Sequence, residues 1–172
     1  VLTELASGRK LCMMTLLHNE GDTLELYLTI PNHRAMNVSH IIISSVDYRR
    51  LAPLCCGGIT SETTLRERLA LKAVLDQAQV LEPSEMPSDV VTMNSTVRLR
   101  DLDTNEVEVY TLVYPGFTDT VNNHISVLAG MGTAILGYRV GDVIVRESPL
   151  ERLNLRVEEV EYQPERAGQY DT

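Results

Sequence analysis

Adjacent thiols at Cys55 and Cys56, four histidines and a Gly130-Met131-Gly132 run are where this chain carries residue types suited to chemistry. Two neighbouring cysteines can hardly ligate one ion in unstrained tetrahedral geometry, and no histidine stands beside them in sequence. Small apolar packing at a turn accounts for them better than a metal or redox centre. His18, His33, His40 and His124 form no HxxxH pair and have no neighbouring nucleophile, so each is structural or solvated. The glycines around Met131 offer either close backbone approach to a ligand or a turn. No catalytic set, cofactor or metal follows from these residues, and the chain is not expected to be an enzyme.

The elements that must position any site are bounded by size and charge. A chain of 172 residues holds one domain plus an appendage. Its 15 Lys and Arg against 24 Asp and Glu give a net charge of −9, which opposes binding to nucleic-acid phosphates and favours a protein partner. Residues 94–172 carry seven basic and thirteen acidic side chains; this acidic part either meets a basic partner surface or is a solvated face. Three cysteines without a CxxC pair suit a reducing compartment, so a cytoplasmic location is expected. No apolar run approaches the roughly 20 residues of a membrane-spanning helix.

Ser44 or Ser45 caps a helix through Val46, Tyr48, Arg49 and Leu51, limited by Pro53. Cys55-Cys56-Gly57-Gly58 forms a turn. A second helix runs from Thr60 or Ser61 to about Leu81, with Leu65, Leu69, Leu71, Val74, Leu75 and Ala78 on one broad face. The two close into a short antiparallel hairpin, the second helix being roughly 30 Å long. Prolines at 83 and 87 mark a linker over residues 83–93. Alternation then predicts strands at Val97–Asp101, Glu106–Tyr114, His124–Leu128, Val143–Glu147 and Asn154–Tyr162, with a hairpin turn at Asp103-Thr104-Asn105 and a short helix at Thr133–Leu136 closed by Gly137. The fold class is α+β, an antiparallel sheet folded against one short helix.

Met86-Pro87-Ser88-Asp89-Val90-Val91-Thr92-Met93-Asn94-Ser95, Thr111-Leu112-Val113-Tyr114-Pro115, Gly137-Tyr138-Arg139-Val140-Gly141-Asp142 and Tyr162-Gln163-Pro164-Glu165, in this order, resemble the GreA/GreB transcription factors. They resemble most the short branch of that family, the regulators of nucleoside diphosphate kinase. The resemblance covers roughly residues 36–171. It implies an FKBP-like topology for residues 94–172 and a coiled-coil arm for 36–82. Residues 1–35 match nothing in the family and are expected to be an extension, explained by an over-extended reading frame. Ser148-Pro149-Leu150-Glu151-Arg152 departs from the Pro-Gly-Gly turn common in relatives and predicts a looser hairpin.

In the family, the resemblance implies, a long coiled coil places two tip carboxylates in the RNA polymerase secondary channel to help bind magnesium. Here the tip (Cys55, Cys56, Gly57, Gly58, Glu62) has one acid between Pro53 and Thr64, more simply a first-turn helix charge. Loops that clasp the polymerase rim in the family match Asp119 and Ile125-Ser126-Val127-Leu128-Ala129-Gly130, and Phe117, Val127, Leu128 and Met131 are the candidates for an apolar contact patch there. Gly130 replaces the usual proline and leaves the loop less preorganised; Val127 belongs either to this patch or to the core. A proline-isomerase pocket is not supported, since the chain has no Trp and one Phe, Phe117. Without a phosphate loop or a phosphohistidine setting the chain is also a poor nucleoside diphosphate kinase. The expected function is a noncatalytic RNA polymerase-binding regulator of elongation that competes with cleavage factors, makes no sequence-specific nucleic-acid contact and affects the kinase indirectly. The alternatives are a weak cleavage factor using Glu62, or a general protein-binding module.

Overall fold

The computed structural model describes residues 40–56, 62–147 and 152–170. The expected extension of residues 1–35, the glycines at 57 and 58 and the 148–151 turn lie outside the described residues.

The first helix starts where a side chain satisfies its free amides. Ser44, in extended conformation, accepts a hydrogen bond from the Asp47 amide at 3.1 Å through its Oγ, and α1 follows over Ser45–Cys55. Pro53 sits in the last turn, where the loss of one backbone bond coincides with the end of the helix. The second helix, α2 (Glu62–Gln77), buries Leu71 and Leu75 in the same apolar cluster as Leu51 of α1. It is about 24 Å long at 1.5 Å per residue, shorter than the pattern predicted.

The reason for that shortening is a pair of strands that the helical pattern concealed. Ile42–Ser44 forms β1 and Gln79–Leu81 forms β2, paired in parallel with Ile42 opposite Gln79 and Ser44 opposite Leu81. The Gln79 amide donates to the Ile41 carbonyl at 2.8 Å, and the Ile42 amide to the Gly137 carbonyl at 3.1 Å. Backbone pairing with a buried, β-branched partner thus overrides helix propensity in the last residues of the predicted helix. Ser45 Oγ also donates to Glu82 at 3.0 Å, so the start of α1 and the exit from α2 are held at one place.

The second sheet has five strands in the order β5-β4-β3-β7-β6: β3 is Thr96–Asp101, β4 Val107–Val113, β5 His124–Ser126, β6 Val143–Glu147 and β7 Arg152–Tyr162. The β3–β4 turn lies where the sequence predicts it, with Asp101 Oδ1 accepting from the amides of Asp103 at 2.7 Å and Thr104 at 3.1 Å, and Asn105 at φ 64°. The expectation of a wholly antiparallel sheet is corrected: β5 runs parallel to β4, Thr111 facing His124 and Val113 facing Ser126. The physical reason is the loop of residues 114–123, which carries the chain back along β4. Asn123 Nδ2 then donates to the Val109 carbonyl at 3.1 Å and the Thr111 amide to the Asn123 carbonyl at 3.0 Å.

The short helix, α3, spans Gly130–Ile135 and so begins three residues before the predicted Thr133. It buries Ala134 and Ile135, with Leu136 directly after it, in one cluster with Leu51, Leu71, Val97, Leu112 and Val157. At roughly 1.5–3 kcal/mol for each fully buried large aliphatic side chain, this shared core fixes the helices to the sheet. The stretch expected as a linker is accordingly not a free joint. Pro83–Glu85 makes a single 3-10 turn, whereas Val90, Val91 and Met93 are buried. Val91 exchanges backbone bonds with the segment after α3, its amide donating to Tyr138 and its carbonyl accepting from Gly137, each at 2.9 Å.

Gly137 has φ +80°, and a Cβ built there would lie 2.5 Å from Ile41 Cγ2 and 3.0 Å from the Ile42 carbonyl oxygen. Gly137→Ala therefore both strains the backbone and pushes β1 away from the sheet domain. We expect it to lower unfolding stability by about 2–4 kcal/mol, measured by urea denaturation; an unchanged midpoint would show that β1 does not rest on this contact.

Candidate functional site

Two groups of residues have features beyond packing: the loops flanking β5, and a polar cluster where α1 meets the sheet. The first loop opens with Tyr114-Pro115-Gly116-Phe117. The Phe117 amide donates to the Tyr114 carbonyl at 3.2 Å and Gly116 has φ 97°, as a type II turn with proline then glycine at its centre requires. The turn leaves Phe117 72% exposed, and Val121 further along is 89% exposed. Among the described residues these are the two most exposed large apolar side chains, and both stand on this one loop.

Asp119 shapes this loop. Its Oδ1 accepts from the amides of Val121 at 2.9 Å and Asn122 at 3.4 Å, and its Oδ2 from Asn122 Nδ2 at 2.6 Å. These bonds, the Asn122 side chain first, hold its carboxyl below the usual range. Asp119 and His124 also exchange backbone bonds at 2.7 and 3.2 Å, closing the loop onto β5.

Beyond β5, Ser126 works mainly within its own turn. Its Oγ accepts from the Leu128 amide at 3.1 Å and its carbonyl from the Ala129 amide at 2.9 Å. Val127 is fully buried, which decides the open alternative in favour of core packing. Leu128 and Met131 are half-buried against the core, and Met131 turns toward the sheet. Gly130 opens α3 with its carbonyl held by Arg146 Nη1 at 2.9 Å. Of the Gly130-Met131-Gly132 run, Gly132 has the packing role: a Cβ there would collide with the Ser126 carbonyl oxygen. The structure thus brings Asp119 and residues 126–131 to the two ends of β5, with Phe117 open to solvent.

At the far end of α1, Cys55 is half-buried with its thiol directed at the Leu51 carbonyl at 3.9 Å, and burial, then the neighbouring Cys56, pushes its pKa up. An apolar packing role suits it better than a nucleophile. Cys56 is exposed. Gly57 and Gly58 lie outside the described residues; Glu62 begins α2, with its side chain also outside them. Among the described residues no group of three His, Cys, Asp or Glu could hold a metal ion, and no helix is long and apolar enough to cross a membrane.

The polar cluster was not foreseen. Asp47, which looks from sequence like a simple first-turn charge, is buried. Its Oδ1 accepts from the Tyr114 hydroxyl at 2.8 Å and its Oδ2 from the Met93 amide at 3.2 Å. Beside it Glu165 accepts from the Thr92 hydroxyl at 2.7 Å, and Thr92 and Ser95 share a hydroxyl bond of 2.9 Å. Gln163, fully buried, donates through Nε2 to the carbonyls of Pro87 at 2.8 Å and Val90 at 2.9 Å. The usable signal was in the motifs themselves. Residues 86–95, 111–115 and 162–165, far apart in sequence, converge on this joint.

Burial raises the pKa of both Asp47 and Glu165, and Asp47's charge adds to the rise at Glu165. An acid with a raised native pKa contributes stability that is full below its unfolded value and is lost as pH rises through the native one. For Asp47 that loss begins above its ordinary 3.8 and is complete once the raised value is passed. Asp47→Asn keeps an acceptor for Met93 and a donor for the Tyr114 oxygen, so it should flatten this decline at a cost of about 1 kcal/mol or less at neutral pH. Asp47→Ala strands the Met93 amide and takes the carboxylate acceptor from the Tyr114 hydroxyl, and should cost about 3 kcal/mol. Urea denaturation across a pH series checks the pair; equal losses and parallel pH profiles would refute the assignment.

Residues 86–162 match the family model "Transcription elongation factor, GreA/GreB, C-term". The chain is 54% identical over 102 residues to the Regulator of nucleoside diphosphate kinase of Escherichia coli (strain K12), covering 59% of this chain and 75% of that protein. It is 36% identical over 90 residues to Transcription elongation factor GreA of Thermoanaerobacter pseudethanolicus, covering 52% of this chain and 57% of that one. A solved prokaryotic transcription elongation factor GreA/GreB from Nitrosomonas europaea superposes with a TM-score of 0.58 at 42% identity, over 72% of this chain and 98% of that structure.

Proposed function

Because this chain belongs to the GreA/GreB family of transcription elongation factors, we propose that it is a noncatalytic regulator that binds RNA polymerase at the secondary channel and competes there with Gre-type cleavage factors. In this reading the sheet is an FKBP-like docking module and α1 with α2 is a short arm. The observation that carries it is the loop of residues 115–123, whose Phe117 and Val121 stand open to solvent while Asp119 and His124 clamp its base. An apolar side chain presented on a stiff loop loses little freedom on binding, which is how few residues come to dominate an interface.

Two features support a role without catalysis. Glu62 is the one acid between Pro53 and Thr64, and magnesium recruited for RNA cleavage favours several oxygen ligands. The arm is also short, its longer helix spanning about 24 Å. The net charge of −9 points to basic protein surfaces and away from bare nucleic acid. The site of action is cytoplasmic, and any influence on nucleoside diphosphate kinase follows indirectly from altered transcription.

The full chain should be retained by core RNA polymerase at low salt and displaced by a Gre-type factor, without shortening RNA in stalled complexes. Phe117→Ser, a change at an exposed side chain, should leave the unfolding midpoint unchanged and weaken retention about tenfold, or ~1.4 kcal/mol. Absence of retention of the unaltered chain at low salt would overturn the proposal.

A further inference from the structure

The face of the sheet that α3 covers is left open toward the β3–β4 turn. Side chains alternate along a strand, so Leu99 and Asp101 share this face with Glu108 and Tyr110 of the adjoining strand and with Glu106 just before it. A cavity of about 120 Å³ lies there, with Leu99, Tyr110, Met131 and Leu155 among its walls and Asp101, Glu106 and Glu108 around it. Among the described residues, the three carboxylates accept hydrogen bonds from groups that carry no charge. Asp101 accepts from the turn amides already described, Glu106 from the Thr104 hydroxyl at 3.5 Å and Glu108 from the Tyr110 hydroxyl. The guanidinium groups of β3 stand on the opposite face. Arg98 is taken by Glu159 and Glu161 at 3.0 and 2.5 Å, and Arg100 by Glu158 at 2.5 Å.

We propose that this cavity receives a single lysine or arginine side chain of a protein partner, its aliphatic stem against Tyr110, Met131 and Leu155 and its cationic head among Asp101, Glu106 and Glu108. A long cationic side chain satisfies both halves of the site at once, since its stem covers apolar surface while its head stays polar, and the Tyr110 ring adds attraction for the cation. An apolar side chain would desolvate the carboxylates without compensating them. A nucleic-acid phosphate would be repelled. Phe117, Val121 and Asp119 take no part in the cavity, so this contact is separate from the loop proposed to bind polymerase and stands or falls independently of it.

The test is a titration of the full chain, methyl-labelled at methionine and leucine, with an acetylated and amidated Gly-Ala-Lys-Ala-Gly peptide, its arginine counterpart and a glutamate control. The Met131 and Leu155 methyl signals should shift saturably with the two cationic peptides and not with the glutamate one. Glu106→Gln with Glu108→Gln should weaken the response at least tenfold. Glu159→Gln with Glu161→Gln, the same charge change on the opposite face, should leave it within twofold. Equal weakening by both pairs would mean unspecific attraction to an acidic protein and would overturn the proposal. So would Met131 and Leu155 signals that move on simple dilution of the free chain, which would make a second copy the occupant.

Discussion

A buried carboxylate at the first turn of α1 is the constraint on which the rest of the structure depends. Asp47 joins three pieces of chain that are distant in sequence: the helix that it begins, the backbone at Met93 before β3 and the Tyr114 hydroxyl just beyond β4. Removing a carboxylate from water is costly, and the cost is offset here only because every piece arrives in place. The arrangement is therefore cooperative. A helix shifted by one turn would leave the charge, the Met93 amide and the Tyr114 hydroxyl without partners together.

The small parallel pair β1–β2 completes the same joint from the other side. Ser44 is the last residue of β1, the cap of α1 and a neighbour of both buried Asp47 and half-buried Glu165. The exit of α2 is bound to the same place through β2 and through Glu82. Both helices are thus pinned at their bases and share a core with the sheet. A core packed in this way leaves the helices few intermediate arrangements against the sheet.

How much of this was legible follows from where each piece of information resides. β6 has the limits that alternation gives, and β3, β4 and β7 agree within two residues, because a half-buried strand writes its period into neighbouring side chains. β1 and β2 are three residues each and exist only through pairing across the intervening helices, so no local period announces them. The direction of β5 depends on a returning loop rather than on β5 itself. In the candidate site, the exposed loop and the glycine-rich entry to α3 were visible as residue types. Val127 was ambiguous because an apolar residue beside a loop suits a patch or a core equally. Asp47 was missed because an acid in a helix's first turn has a sufficient local explanation, and only tertiary burial reveals the additional one.

Charge gives the sheet its two unlike faces. Opposite the core, Arg98 and Arg100 lie across a β-bulge from a run of glutamates, and the ladder of pairs consumes both signs locally. Exposed pairs of this kind add little stability, yet they leave that face without a strong field. The unbalanced acidity of the chain is then expressed elsewhere, around the β3–β4 turn and along the loops. A field concentrated at a few positions orients an approaching basic surface before contact, whereas apolar contacts act only at close range. Orientation by charge and retention by burial are separable contributions, and the acidic β3–β4 turn and the apolar 115–123 loop are different parts of the molecule.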